Sequence, residues 1–584
     1  MRILVVQTTR MGDVIQTSPL VQQIRDKHPD AHISLMVRRM GKAVAERHPA
    51  VNEVIEYDED EMFLHLRSGD SDRLLKAYAL ADARIRRLRE ANFELAYNVT
   101  HSIASAMLLK LAGIPRVIGA HLSDDWQFVL RGPWTTYFFT SVFSREYNDL
   151  NLCDIFRLFA ADAPPCHRLL FQSDDDDLAF AQSVYGQFGI RDGDFVACMQ
   201  LGASEAGKRW PEAYFARLAQ LLRAQYGAKI LLLGVAEEAP LGEAFARHAP
   251  GLGIPLYGKT TIPQAVALLR RANVLITNDT GTMHLAAAAD CPIVLVSVGS
   301  VHYRETGPYG EGHCAVEIRR QTLGRSEHAI SDAKDLIQPE HALRAVETVI
   351  AVRRGEALPQ WQEYPEFAKI DANITRFAPD GCLRFYPLIR RMLTERDFMR
   401  IAYRAMWLDH LGDGRHAQCE RESIRAILEC YDSPPMETFR HWREQLGGAF
   451  RELAAIAQRG VRQTDILLEA LRRGETSRAK RLVAELMALD EEARIFGEIN
   501  AACRPLVLIA RFERDNLEGA DPTMLARSTR DIYRACYARA RMVEEKIAAI
   551  LKMAGKGSKD NKDSKDNKDA KDKKDSTENC AKAD

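Results

Sequence analysis

No apolar run in this 584-residue chain approaches the ~18 to 20 residues needed to cross a bilayer. Net charge is also nearly absent: 80 Lys and Arg against 81 Asp and Glu leave −1, which argues against a nucleic-acid partner. The 11 cysteines are scattered from Cys153 to Cys580, and none forms a Cys-x-x-Cys pair. Disulfide frameworks and zinc clusters need tighter patterns, so these thiols point to a reducing compartment. No His/Cys/Asp/Glu cluster has metal-site spacing, and no metal is expected. The run Asp174-Asp175-Asp176-Asp177 reads as a solvated joint. A Gly-x-Gly-x-x-Gly fingerprint is missing, which weakens a nicotinamide-dinucleotide reading. At the N-terminus residues 1–6 enter a strand-like run directly, without the apolar core and cleavage site of a signal peptide. A cytoplasmic protein is expected.

What is present is ample apolar material, 46% of residues, for more than one folded core. The first third alternates β-rich runs (2–7, 32–37, 51–57, 93–99 and 116–120) with helical spacing at 14–27, 72–91 and 102–112. Such alternation builds a parallel sheet covered on both faces. An aromatic stretch follows over 126–139. A second alternating series begins with strands at 194–200, 229–234, 273–278 and 292–298 and helices at 211–225, 262–271, 281–289 and 339–353. Two doubly wound, Rossmann-like domains facing a cleft are the economical reading. Past residue 355 β-rich runs become few and helical patterns many, as at 394–406, 451–459 and 523–548. An all-α region of bundle type is expected there, serving packing or self-association. The tail repeats Lys-Asp and lacks apolar anchors that could offset its ordering entropy, so disorder is expected. The expected domains are therefore 1–175, 176–355, a helical 356–553 and a tail 554–584.

Three strand-to-helix junctions carry polar side chains where open α/β sheets bind ligands. The first is Thr8-Thr9-Arg10-Met11-Gly12-Asp13. Asp13 lies at or just before a helix start, and as an N-cap alone it is worth about 1 kcal/mol. The second is Gly202-Ala203-Ser204-Glu205-Ala206-Gly207-Lys208-Arg209-Trp210-Pro211, with Pro211 at a first helical position. Lys208 and Arg209 oppose the helix dipole there, a conflict that a bound polyanion removes. The third is Asn278-Asp279-Thr280-Gly281-Thr282-Met283-His284, where amides and hydroxyls at a helix start make an anion cradle. His284 falls in the first turn, facing the same anion. Arg38, Arg39 and Lys42 after the second strand fit either a phosphorylated ligand or a basic surface turn.

Taken together, Arg10-Met11-Gly12-Asp13, Lys208-Arg209-Trp210-Pro211 and Asn278-Asp279-Thr280-Gly281-Thr282-Met283-His284-Leu285-Ala286-Ala287 resemble the signature blocks of glycosyltransferase family 9, the ADP-heptose:lipopolysaccharide heptosyltransferases. Gly299-Ser300 and Gly307-Pro308-Tyr309-Gly310 stand where that family has Phe-Gly-Pro-Thr and Gly-Pro-Tyr-Gly, and residues 97–113 are similar to its acceptor-domain strand and helix. The likeness covers approximately residues 1 to 353.

The resemblance implies a GT-B fold, with acceptor in the first domain and nucleotide-sugar donor in the second. It implies an inverting, metal-independent transfer of heptose to a lipopolysaccharide core acceptor. No cofactor is expected beyond the nucleotide-sugar co-substrate, ADP-heptose. In that scheme Asp13 matches the general base and Lys208 the cation that stabilises the leaving diphosphate. Thr280, Gly281 and His284 match phosphate contacts, and Asp279 a donor-binding carboxylate. Ser204 falls on a donor-contacting hydroxyl, with Ala203 replacing its usual hydroxyl-bearing neighbour. Glu238, with Glu237 as the alternative, matches a nucleoside-binding glutamate. Thr9, Arg10 and Arg38 are the expected acceptor contacts. A lipid-linked or glycan acceptor brings the protein to the inner leaflet, with 126–139 as candidate membrane contact or, equally, buried core. Competing readings are another nucleotide-sugar, another glycan or protein acceptor, or a weakly catalytic scaffold that binds nucleotide-sugar.

Overall fold

The computed structural model describes residues 1–57, 59–160, 164–299, 302–319, 333–361, 369–412 and 418–580; after 554 only the backbone is described. The chain forms two compact units, Met1–Arg145 with Asp149–Ile389, and Glu146–Asn148 with Arg390–Asp584.

The first unit holds two sheets, each the centre of a lobe. In the first lobe, β1 (Arg2–Gln7), β2 (His32–Val37), β3 (Glu53–Glu56), β4 (Leu95–Asn98), β5 (Val117–Leu122) and β6 (Phe128–Arg131) stand in the order β3-β2-β1-β4-β5-β6. All pairings are parallel except β5–β6. Ile3, Leu4, Val5 and Val6 are fully buried, as expected of a strand covered on both faces. Leu4 and Val6 share a cluster with Met36, Ile55, Ala96 and Leu109, which joins the sheet to the helix Ile103–Ala112.

The second lobe has β7 (Val196–Gln200), β8 (Lys229–Leu233), β9 (Gly253–Pro255), β10 (Val274–Thr277), β11 (Ile293–Ser297) and β12 (Cys314–Ile318), then β13 (Ile370–Phe377) and β14 (Leu383–Pro387). Their order is β14-β13-β12-β11-β10-β7-β8-β9. The two-lobed arrangement of facing Rossmann-like sheets is a GT-B fold. In each sheet the strand order reverses beside the first strand, at β1/β4 and β7/β10, and this is where such sheets bind ligands.

Three local expectations need correction. The second lobe does not end near 355: β13 and β14 add antiparallel strands to the edge of β12. Along β13, Ile370, Ala372 and Ile374 alternate with Asp371, Asn373 and Thr375, a period-2 pattern that the helical reading of this region passed over, and both sets are buried. The hairpin also holds the segment between the lobes. Asp154 accepts from Arg157 Nε (2.8 Å), the Tyr309 hydroxyl (2.9 Å) and the Leu383 amide (2.7 Å).

Asp174-Asp175-Asp176-Asp177 is a helix start rather than a linker, although Asp174, Asp175 and Asp176 are exposed. Asp174 caps the helix Asp175–Gln187 by accepting from the Asp177 amide at 2.9 Å, and Arg47 pairs with both Asp174 and Asp177. Pro211 is the N-cap of the helix Glu212–Tyr226 rather than its first residue. Within 126–139 the helix Pro133–Ser141 buries Trp134, Tyr137 and Phe138, and Phe138 packs edge-on against Phe156. That aromatic segment is core, although Trp126 remains exposed.

The second unit is mainly helical. Its helices are Glu395–Leu411, Glu420–Leu428, Met436–Arg472, Thr476–Ile499, Arg504–Asp515 and Pro522–Cys580. Leu467, Leu468, Leu482, Leu486, Leu489 and Tyr533 form its apolar seam. The expectation of a disordered 554–584 falls, from 555 on, on residues whose side chains, and from 581 also backbone, lie outside those described.

Candidate active site

Asp13 is carried by the short helix Met11–Gln16 directly after β1. It sits in the first turn rather than at the N-cap, which is Arg10; its Oδ2 accepts from the Arg10 amide at 3.2 Å. The Thr9 hydroxyl lies 2.8 Å from the same oxygen and 2.7 Å from Gln7 Oε1. Gln7 Nε2 donates to Thr17 Oγ1 at 3.2 Å, and the Thr17 hydroxyl donates to the Asp13 carbonyl at 2.8 Å. A ring of bonds thus starts and ends on Asp13.

In the second lobe the buried Asn278 side chain ties two loops together. Its Oδ1 accepts from the Trp210 amide at 3.0 Å, and its Nδ2 donates to the carbonyls of Leu201 (2.9 Å) and Gly202 (3.1 Å). The loop carrying Ser204 and Lys208 is thereby fixed to the end of β10. Ser204 is exposed, and Lys208 Nζ holds Glu205 at 2.9 Å. Next, Thr280 is the N-cap of the helix Gly281–Ala288, without a side-chain cap, so the first-turn amides lack the partners that a helix interior supplies.

Glu238 projects between the ends of β7 and β8, where Gln200 Nε2 (2.9 Å) and the Val235 amide (3.1 Å) both donate to its Oε2. Glu237, the alternative, is exposed.

The two lobes meet at these loops. A Cβ on Gly12 would stand 3.2 Å from the His284 ring and 3.8 Å from Gly281 Cα, so the two helix starts abut through glycine. His284 is buried beneath this contact; burial pushes its pKa down to about 4 and leaves a neutral imidazole whose Nδ1 has no hydrogen-bond partner among the described residues. Asp279 is pushed up to about 6 by burial, with Lys208 and Arg10 pulling it down and Asp13 pushing it up. That electrostatic group draws on both lobes.

Arg38 stands apart from it at the end of β2, paired with the exposed Asp60. Ser300 lies outside the described residues, whereas Gly299 packs against the Lys208 stem.

Gln7, Gln200 and Asn278 were given no role from sequence. Each is a buried polar residue closing or following an apolar strand, and that break in pattern is the signal that could have found them.

Residues 82–327 match the model of glycosyltransferase family 9 (heptosyltransferase). Lipooligosaccharide heptosyltransferase 2 of Haemophilus influenzae is 24% identical over 374 residues, 60% of this chain and 100% of that protein. Lipopolysaccharide heptosyltransferase 2 of Escherichia coli is 26% identical over 306 residues, 50% of this chain and 82% of the relative. Among solved structures, the ADP-heptose lps heptosyltransferase II of Escherichia coli aligns with a TM-score of 0.45 at 21% identity, covering 61% of this chain and 100% of that one. A glycosyl transferase family 9 protein from Veillonella parvula aligns with a TM-score of 0.48 at 19% identity, covering 60% and 97%. The matched region is thus similar to glycosyltransferase family 9, and the protein is a glycosyltransferase.

Proposed function

We propose that the protein transfers heptose from ADP-heptose to a hydroxyl of a lipopolysaccharide core acceptor, by an inverting displacement that needs no metal. The named activities of the relatives support this donor and acceptor class. The observation that carries the chemistry is the abutment of Gly12 on His284, since it sets Asp13 beside the helix start that follows Asp279.

In this reading the acceptor hydroxyl, held near Thr9 and Arg10, gives its proton to Asp13 as its oxygen attacks the anomeric carbon. The bond to the nucleoside diphosphate breaks on the opposite face, and the electron pair leaves with the phosphate. Lys208 and the amides at Thr280 and Gly281 take up the developing charge, the term that dominates such steps. Those cations and dipoles supply what a metal would otherwise provide. Glu238 reads the nucleoside, Ser204 and Asp279 hold the donor, and Arg38 meets the outer part of the acceptor. The acceptor's lipid anchor would keep the enzyme at the inner face of the cytoplasmic membrane.

A panel of nucleotide-sugars tests the donor. At 100 times Kd, ADP-heptose should stabilise the protein by about 2.7 kcal/mol in a thermal-shift assay, with UDP-sugars inert. Stabilisation by a UDP-sugar but not by ADP-heptose would favour another donor. The helical unit leaves another acceptor as the second reading, because the Haemophilus influenzae relative is matched in full by 60% of this chain.

A further inference from the structure

We infer that Gln7 and Thr9 are positioning residues that let Asp13 hold a proton: the Thr9 hydroxyl is a one-hydrogen switch between the Asp13 carboxylate and the Gln7 amide. This rests on the reading of Asp13 as the general base and deepens it.

The Thr9 hydroxyl has one hydrogen and two acceptors within reach, Asp13 Oδ2 at 2.8 Å and Gln7 Oε1 at 2.7 Å. Both bonds cannot be donated at once. The orientation of the Gln7 amide follows from its other end, where the Thr17 hydroxyl donates to the Asp13 carbonyl and therefore accepts from Gln7 Nε2. Gln7 Oε1 is left facing Thr9.

When Asp13 is ionised, its carboxylate is the stronger acceptor and takes the Thr9 hydrogen. When Asp13 has taken the acceptor's proton, a half-turn of the carboxyl group can bring that proton to the oxygen facing Thr9. The carboxyl then donates to Thr9 Oγ1, and the Thr9 hydrogen turns to Gln7 Oε1. The protonated state thus holds one hydrogen bond more than the ionised one, in which Gln7 Oε1 has no donor from Thr9. Gln7 is almost wholly buried, so its carbonyl has no water to replace Thr9.

Toward the cleft, Asp279 interacts with Asp13, Arg10 and Lys208, and the neutral His284 lies against Gly12, the residue before Asp13. On the first-lobe elements packed against its helix, Lys42 is paired with Glu56, Arg157 with Asp154, Arg39 is exposed, and the buried Cys153 thiol is held neutral.

The test is the pH profile of kcat for heptosyl transfer in the full chain. Gln7→Leu removes the resting place for the Thr9 hydrogen only in the protonated state. It should lower kcat roughly tenfold and move the acidic limb about one unit to lower pH, as one lost hydrogen bond implies. Gln7→Glu should move the limb to higher pH. Thr9→Val should lose kcat and Thr9→Ser should restore it. If the buried Gln7→Leu fails to fold, Gln7→Glu and the Thr9 pair carry the test. A limb that stays put in the Gln7 variants, or moves the same way in both, overturns the switch. Asp13→Asn separates the two readings: full turnover there means that Asp13 is not the base, whereas loss of turnover with unmoved Gln7 limbs removes only the switch.

Discussion

Gly202 has no room for a side chain, because a Cβ there would fall on the Glu238 carboxylate. The obstacle is the end of a flexible side chain, so Gly202→Ala should leave the melting temperature nearly unchanged. It should push Glu238 out of place and raise KM for the donor roughly tenfold, the cost of one displaced polar contact. A donor titration of the variant checks this.

Asp279 makes the opposite kind of prediction. Its folded pKa of about 6 lies above the ordinary carboxylate value, so the folded state binds the proton more tightly than the unfolded one. Stability from this group is therefore present at low pH and lost as pH rises through about 6. Asp279→Asn should stabilise the free enzyme by roughly 1–3 kcal/mol at pH 8, with little gain near pH 4, while weakening donor binding. Urea unfolding at the two pH values measures it. From sequence the ligand blocks were legible because several polar residues break the apolar pattern at strand ends. Neutral His284 was not legible, since only the packing of Gly12 over its ring reveals its burial.

An element's environment decides what its aromatics do. The helix Pro133–Ser141 packs Trp134 and Phe138 inward, so Trp134→Glu or Phe138→Glu should cost about 3–5 kcal/mol and abolish cooperative unfolding of the first unit. A variant that folds normally would point to a surface role instead. The main strands and helices of both lobes were legible, with β1, β2 and the helix Ile262–Arg271 matching at both ends. The alternation over 370–375 marks β13 as a strand, but period alone could not show its place in the sheet. Both faces of β13 are buried, Asn373 and Thr375 included, and its partner is the open edge of β12, distant in sequence. The junction at 174–177 was missed for a related reason, because the acidic run is a helix cap whose partner, Arg47, is distant in sequence.

On the scale of the whole molecule, the protein is one glycosyltransferase unit and one mainly helical unit, each with its own core. The first unit unites an acid from one lobe with a lysine and a helix start from the other. The most direct test pairs Asp13→Asn with Lys208→Ala and compares single-turnover transfer from ADP-heptose with ADP-induced thermal stabilisation. Asp13→Asn should lose about 10²- to 10⁴-fold in transfer while keeping the ADP shift, and Lys208→Ala should lose both. Transfer at the wild-type rate by Asp13→Asn, or an unchanged ADP shift and rate in Lys208→Ala, would contradict this division of labour.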